Sequence, residues 1–515
     1  MIDLAPFDSP LFSDAYRRMV ATASGVAERR SRYNAAAPPT LRERIVRCIW
    51  FDQSLATDRL RTDNGQKLRV LSPGWWNLEA GPDFRNAALR IGSGPVTKGD
   101  VEVHLYASHW HVHEHNLDPS YNSVILHVAL WNDAATTGVA NAAGAVIPQV
   151  TLEPYLRTPL ADLADDAATE EYPDASASSS GRCQKLLEEG KVTLEWLAKF
   201  LGHAGDQRIA EKARRVAMLA VGDDDQVLYE TIAACLGYKR NKAPAAELTR
   251  RLPLAAIRER VARRPQEAPL PLAVEALLFG MAGLLPDAQA PLADAEAESH
   301  AQALRRLWDL LAKDLPHEPL AEAQWSFAGT RPANFPTRRM AALARLVAEH
   351  LDTGINQAIR QAVGPPGEPR LSPRELDRRR AQLLDLFLSV RDSFWDSRTH
   401  FTAKAIPRAE RLIGRDRAHT LIIDAVLPVL LYQARRDNDR PFEEFLHQFF
   451  ASHPKLPSTG VTRFMAMRLF GRLDTKLELL RNARRQQGLY QVYADFCDSE
   501  TATCDRCPLV RLLEA

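Results

Sequence analysis

The run Lys98-Gly99-Asp100-Val101-Glu102-Val103-His104-Leu105 alternates polar and apolar side chains without a break. That is the pattern of a β-strand with one face in a core. Successive strand side chains point to opposite faces, so Val101, Val103 and Leu105 enter the core while Asp100, Glu102 and His104 share the other face. Two carboxylates and an imidazole in a row are costly to bury without partners. A divalent cation satisfies all three at once, so the strand predicts a metal site.

Its surroundings carry more of the same chemistry. Upstream, Gly81-Pro82-Asp83-Phe84 leads into a short strand-like run, Asn86 to Ile91, which Gly92-Ser93-Gly94-Pro95 ends. An antiparallel pairing with the next strand would carry the Asp83 carboxylate toward Glu102. Downstream come His109-Trp110-His111-Val112-His113-Glu114-His115, Asp118, Tyr121 and the strand Val124 to Leu130 with His127. Six of the fourteen histidines fall within the 24 residues from His104 to His127. Imidazole and carboxylate are the usual ligands of catalytic divalent metals, so His113, His115, Asp118 and His127 are expected to complete a pocket. The familiar zinc templates are not met. Leu117 stands where His-Glu-x-x-His needs its second histidine, the Asp-His ending of the metallo-lactamase pattern is missing, and Pro119-Ser120 replaces the cupin glutamate. The competing reading has several of these histidines capping, stacking on Trp110 or facing solvent.

Pro82-Asp83 on one strand with Glu102-Val103-His104 on the next resembles the PD-(D/E)xK nuclease fold. The resemblance implies that Asp83 and Glu102 bind magnesium or manganese, that the backbone carbonyl of the middle residue adds a ligand, and that His104 stands where the family's lysine orients or activates the attacking water. Histidine is a weaker cation than lysine and itself a good ligand. The position therefore departs from the family toward a histidine-bound transition metal, zinc included.

A wider set of residues follows in order: Ile49-Trp50, Pro73-Gly74-Trp75-Trp76-Asn77, Gly81 to Phe84, Gly99 to His104, Trp110, His113-Glu114-His115 and Leu126-His127-Val128. The order resembles a bacterial family, the domain of unknown function 2851. Glu275 to Gly280, Ala282 to Leu285, Arg331 to Arg339 and the terminal cysteines extend the resemblance over most of the chain from about Leu41 onward. No activity comes with the family, so function is argued from the residues.

Cys497-x6-Cys504-x2-Cys507-Pro508 closes the sequence. Clustered thiols ending in Cys-x-x-Cys-Pro point to an iron-sulfur cluster or zinc. Three ligands need a fourth, and Cys183 is chosen because Cys48 and Cys235 lie in helical apolar patterns where a buried thiol is ordinary. Helicase-nuclease and CRISPR-associated relatives of the nuclease fold similarly hold a 4Fe-4S cluster with one distant and three C-terminal cysteines, at different spacing. A zinc knuckle or free thiols are the alternatives.

At 515 residues, 45% hydrophobic and 25% charged, the chain is of ordinary globular composition. Met1-Ile2-Asp3-Leu4-Ala5-Pro6 lacks the basic start and apolar stretch of a signal peptide. Leu421 to Tyr432 contains Asp424 and Pro428 and is too short to cross a bilayer. A cytoplasmic location without membrane contact is expected, where cysteines serve as thiols or ligands. Net charge of +1 gives no overall bias toward nucleic acid. Arginine-rich stretches (Arg29 to Arg32, Lys212 to Arg215, Arg258 to Arg264, Arg378 to Arg380, Arg481 to Arg485) offer phosphate contacts to DNA or RNA, against the reading that they pair with neighbouring glutamates on solvent faces.

The expected fold is α+β. Residues 1–40 read as an arm; 41–158 as a strand-rich, PD-(D/E)xK-like metal domain opened by a helix from Leu41 to Trp50; 159–190 as an acidic, then Ser/Ala-rich linker with Cys183; 191–495 as a helical region; and 496–515 as the cysteine segment. Helical spacing recurs through Leu194 to Leu201, Leu228 to Leu236, Val274 to Leu285, Ala303 to Leu311, Met340 to Leu351 and Leu383 to Phe394. Two function classes follow. One is a metal-dependent phosphodiesterase or nuclease using Asp83, Glu102 and His104. The other is a non-catalytic nucleic-acid-binding or scaffold protein whose helical region docks protein partners.

Overall fold

A computed structural model describes residues 11–12, 15–24, 43–53, 55–77, 81–156, 182–220, 222–238, 240–327, 332–365, 371–471, 478–497 and 507–514. Most of the N-terminal arm, the stretch 157–181 and Cys504 lie outside them. The architecture is α+β, a mixed sheet followed by many helices. The chain divides into two compact units. One comprises Met19–Thr193, Ser458–Asp474 and Val492–Ala515 and holds the sheet; the other comprises Met1–Arg18, Leu194–Pro457 and Thr475–Gln491 and is helical. The stretches 458–471 and 492–495, placed in the helical region by the sequence reading, fall in the unit that holds the sheet.

Seven strands build that sheet: β1 (Leu68–Ser72), β2 (Trp75–Trp76), β3 (Phe84–Ile91), β4 (Val96–Tyr106), β5 (Val124–Trp131), β6 (Gly138–Ala140) and β7 (Val146–Thr151), in the order β1-β3-β4-β5-β7-β6 with β2 paired to β3. β1/β3, β3/β4 and β6/β7 are antiparallel, whereas β4/β5 and β5/β7 are parallel. Parallel neighbours need a crossover. The histidine-rich segment between β4 and β5 is that crossover.

One sheet face is closed by the helix Glu43–Asp52, whose Ile45, Val46, Ile49 and Trp50 pack with Phe84, Leu89, Val101, Val103, Leu126 and Val128. Those four apolar positions form one stripe at helical spacing, which leaves Glu43 and Arg47, four residues apart, on another face. Trp50 Nε1 donates to the Pro73 carbonyl at 3.1 Å.

β3 carries an extra residue opposite β4, since Phe84 pairs with Val101 but Ala87 with Gly99. Asn86 takes a φ of 56° there. Asp100 closes the bulge: Oδ1 accepts from Asn86 N at 3.1 Å, and Oδ2 accepts from Arg85 at 2.8 Å and Ser123 Oγ at 2.6 Å. Gly99 is required beside it, because a Cβ would lie 2.3 Å from Ile125 Cγ2.

In the helical unit, Leu194–Leu219 crosses Ala483–Val492 at two glycines. A Cβ on Gly205 or Gly488 would lie 2.0 Å from the carbonyl oxygen of Arg484 or Leu201. The helix expected through Phe394 ends at Leu388. Asp392 Oδ1 accepts the Phe394 and Trp395 amides, both at 2.8 Å, and this side-chain capping gives the backbone an alternative to helix while still burying both rings. No helix among the described residues is long and apolar enough to cross a membrane.

Candidate metal centre

The parallel register sets Glu102 beside His127 and His104 beside Ala129. From there a buried hydrogen-bond chain runs inward. Asp63 accepts from Thr151 N, Thr151 Oγ1 and Asn132 Nδ2 at 2.8, 2.8 and 3.1 Å, and from Gln149 Nε2 at 2.7 Å. With its amide nitrogen held as donor, Gln149 presents Oε1 to His127 Nδ1 at 2.9 Å. Nδ1 of His127 must therefore carry the proton, leaving Nε2 as acceptor for His104 Nδ1, 2.9 Å away. The last ring of the chain is then locked with its lone pair on Nε2. That atom is out of water and has no hydrogen-bond partner.

The crossover delivers two more imidazoles to it. His109–Val112 makes a single helical turn anchored by buried Trp110, whose Nε1 donates to the Ala140 carbonyl at 2.9 Å. A reversal at Glu114 (φ 60°) then turns His115 back, its amide donating to the Trp110 carbonyl at 3.1 Å. His104, His113 and His115 each offer a ring nitrogen, all within 4.8 Å of one another. Glu102 Oε1 lies 3.3 Å from His115 Nε2 and 3.6 Å from His104 Nε2. Ligands about 2.1 Å from a tetrahedral metal are about 3.4 Å apart. The His115 nitrogen, also out of water, has no hydrogen-bond partner either. Its ring stacks on Tyr121 at 3.8 Å. Donor set and spacing fit a transition metal.

The chain belongs to the DUF2851 family. The family's model, described as a protein of unknown function, matches residues 43–456. No curated protein and no solved structure matches the chain. The matched region of this DUF2851 member contains the sheet and all the histidines above.

The other sequence-predicted residues have different surroundings. Asp83 and Glu102 are adjacent: Asp83 N donates to Glu102 Oε2 at 2.9 Å, and Val103 N donates to Asp83 Oδ2 at 3.1 Å. Asp83 Oδ1 meets Arg47 at 2.8 Å, so both of its oxygens have protein partners. Asp100 serves the bulge. Asp118 is exposed and caps the turn Pro119–Tyr121 by accepting from Ser120 N at 2.8 Å. Sequence reading missed Asp63 and Gln149, which stand 86 residues apart and carry no local pattern, and also Glu43 and Arg47, an ordinary i,i+4 helix pair. His109 Nδ1 approaches Glu43 at 3.8 Å.

Electrostatics favour the neutral form of His104, His115 and His127. Burial pushes His104 well below 6.5, with His127 and His115 adding to it. Burial likewise lowers His127 to about 4, against the Gln149 hydrogen bond, and His115 to about 4. Neutral imidazole is the ligating form.

Three predicted cysteine ligands fall in the sheet-bearing unit. Cys183 is buried in the first turn of helix Arg182–Glu188, Cys507 directly precedes helix Pro508–Glu514, and Cys497 ends the turn Tyr493–Cys497. The two helices pack together, and Arg182 bonds Glu514 at 2.9 Å. Several arginine runs turn out to be engaged internally: Arg378 and Arg379 with Glu375, Arg380 with Asp377, Arg263 with Glu259, Arg481 with Glu478 and Arg484 with Asp206.

Proposed function

We propose that the sheet unit is a metal-dependent hydrolase acting on phosphodiester bonds of nucleic acid, with His104, His113 and His115 as nitrogen ligands. The observation that carries the reading is the buried, unpartnered Nε2 of His104, aimed by the Asp63-Gln149-His127 chain toward His115 and Glu102. Three imidazoles favour zinc or another nitrogen-preferring transition metal over magnesium, whose preferred ligands are oxygens. Such a metal supplies a Lewis acid for water activation and for polarising a phosphoryl oxygen. Glu102 faces the His104 and His115 ring nitrogens, either as a further ligand or as the acceptor of the water's proton. Asp83 positions it through its backbone N–H, and Arg47 holds Asp83. Support for the phosphodiester class comes from Pro82-Asp83 directly preceding β3 while Glu102-Val103-His104 lies on its antiparallel neighbour β4, close to the arrangement of the PD-(D/E)xK resemblance. A non-catalytic nucleic-acid binder or scaffold is the second reading, favoured by histidine in place of the family's lysine.

We further infer that Cys183, Cys497, Cys504 and Cys507 hold a 4Fe-4S cluster or a structural zinc, supported by the packing of the helix bearing Cys183 against the helix that Cys507 directly precedes. The test assays single- and double-stranded DNA and RNA with magnesium, manganese and zinc, alongside Glu102→Ala. Metal-dependent cleavage that Glu102→Ala abolishes while staying folded is expected. Binding without cleavage under every metal, equal in the variant, would decide for the scaffold.

A further inference from the structure

Arginines of the helical unit pair with carboxylates in one group and with uncharged groups in another, and unpartnered buried nitrogens occur in both, Arg398 Nε in the first. Arg435 donates to Glu443 at 2.9 and 3.0 Å, Arg398 reaches Asp294 and Glu296 at 2.8 Å each, and Arg379 bonds Glu375 at 2.8 Å. Arg338, Arg339 and Arg417 instead bond to uncharged groups. Arg338 donates to the Glu410 and Arg411 carbonyls, both at 3.1 Å. Arg339 donates to the Leu412 and Ala333 carbonyls, Asn334 Oδ1 and the Tyr238 hydroxyl, and Arg417 donates to the Cys235 carbonyl. Arg338 and Arg339 are only 1% and 5% exposed.

Carbonyl oxygens satisfy hydrogen bonds but do not neutralise charge, and buried guanidinium groups without counter-ions are strongly disfavoured. Four nitrogens make the deficit concrete. Nε and Nη1 of Arg338, Nε of Arg339 and Nε of Arg417 are all out of water and meet no acceptor. The Tyr238 ring gathers two of the three groups, with Arg417 Cζ 3.3 Å and Arg339 Cζ 5.3 Å from its centroid. Burial pushes Arg339 down to about 10, and Arg417 and Arg338 push the same way. Glu410 and Asp396 act on Arg338 from beyond ion-pair distance.

We propose that Arg338, Arg339 and Arg417 bind a small tetrahedral oxyanion of the phosphate class, independently of the metal centre. Guanidinium is the side chain best suited to phosphate oxygens. The burial of Arg338 and Arg339 favours a single ion over a polymer backbone. Arg338 and Arg339 also end the Arg331 to Arg339 run that stood out in the sequence, which the metal chemistry does not use.

The test uses the full chain after chelator treatment, so that the histidine site does not contribute. Inorganic phosphate is titrated against potassium chloride of equal ionic strength, followed by thermal unfolding and calorimetry. A saturable rise in Tm with about one ion bound per chain is expected, unchanged in Glu102→Ala and weakened at least tenfold in Arg338→Lys and in Arg417→Gln. Arg417 is half-buried, so its variant keeps the test decisive if Arg338→Lys fails to fold. A short oligonucleotide in parallel identifies the source of the phosphate: a shift with phosphate alone assigns the free ion. No saturable shift beyond chloride, or an equal shift in folded Arg417→Gln, overturns the proposal.

Discussion

A closed ion pair in the helical unit contrasts with an open buried acceptor in the sheet unit. In the helical unit, Arg435 and Glu443 form a closed pair, with side chains 0% and 8% exposed, and Asp392 is held by Arg345 and two backbone amides. In the sheet unit, the chain from Asp63 through Gln149 and His127 ends at a lone pair with nothing to accept. A closed pair specifies packing. An open acceptor at the end of an ordered chain is a candidate ligand atom, because burying it without a partner is unfavourable. The helical unit also holds unpartnered buried atoms, the donors of the Arg338 cluster and the acceptors Glu275 Oε2 and Asp396 Oδ1 among them.

The largest effect that sharpens this contrast is expected at the closed pair. Arg435→Met leaves Glu443 buried without its partner and should destabilise the protein by about 3–5 kcal/mol in chemical denaturation. Metal affinity should stay at the parent's value. A loss of metal together with stability would break the separation between the two regions.

Next in size is the outer end of the histidine chain. Gln149→Leu removes the acceptor that sets the His127 tautomer and should weaken metal binding about 10–100-fold, as other outer partners of metal-bound histidines do. Competition with a colorimetric chelator measures it. Unchanged affinity in a folded variant would mean the chain does not orient His104.

Asp100→Asn separates the strand's two tasks. It weakens the bulge contacts to Asn86 and Arg85 and should cost about 1–3 kcal/mol, with metal stoichiometry unchanged. Metal loss there would place Asp100 in the coordination sphere after all.

How much could be read in advance follows from the range of the signals. Alternation in β4, the β3/β4 hairpin and the helix stripe at Ile45, Val46, Ile49 and Trp50 are local patterns, and each appears in the structure. So is the density of histidines. The division of labour was not legible. Asp100, Glu102 and His104 alternate identically, yet the bulge at Asn86 takes the first and the crossover takes the other two. Gln149 meets His127 because β7 lies beside β5, a pairing that no sequence period records.

A smaller, pH-dependent effect belongs to the helical unit. Burial lowers His453 to about 3, well under its ordinary 6.5. Its folded-state value is the depressed one, so the unfolded chain takes up the proton first. Stability should be full above about 6.5 and decline as the pH falls toward about 3. His453→Gln should flatten part of that decline, and a parallel decline in parent and variant would assign it to other groups.

The central claim is that His104, His113, His115 and Glu102 form a metal site, and elemental analysis tests it most directly. Full-length protein carrying Cys183→Ser and Cys507→Ser, to remove thiolate ligation, is stripped, reloaded with zinc and desalted. The account predicts about one zinc per chain, lost when His104→Ala is added while the circular dichroism of the sheet persists. No bound zinc in the cysteine variant, or one zinc retained after His104→Ala, would contradict it.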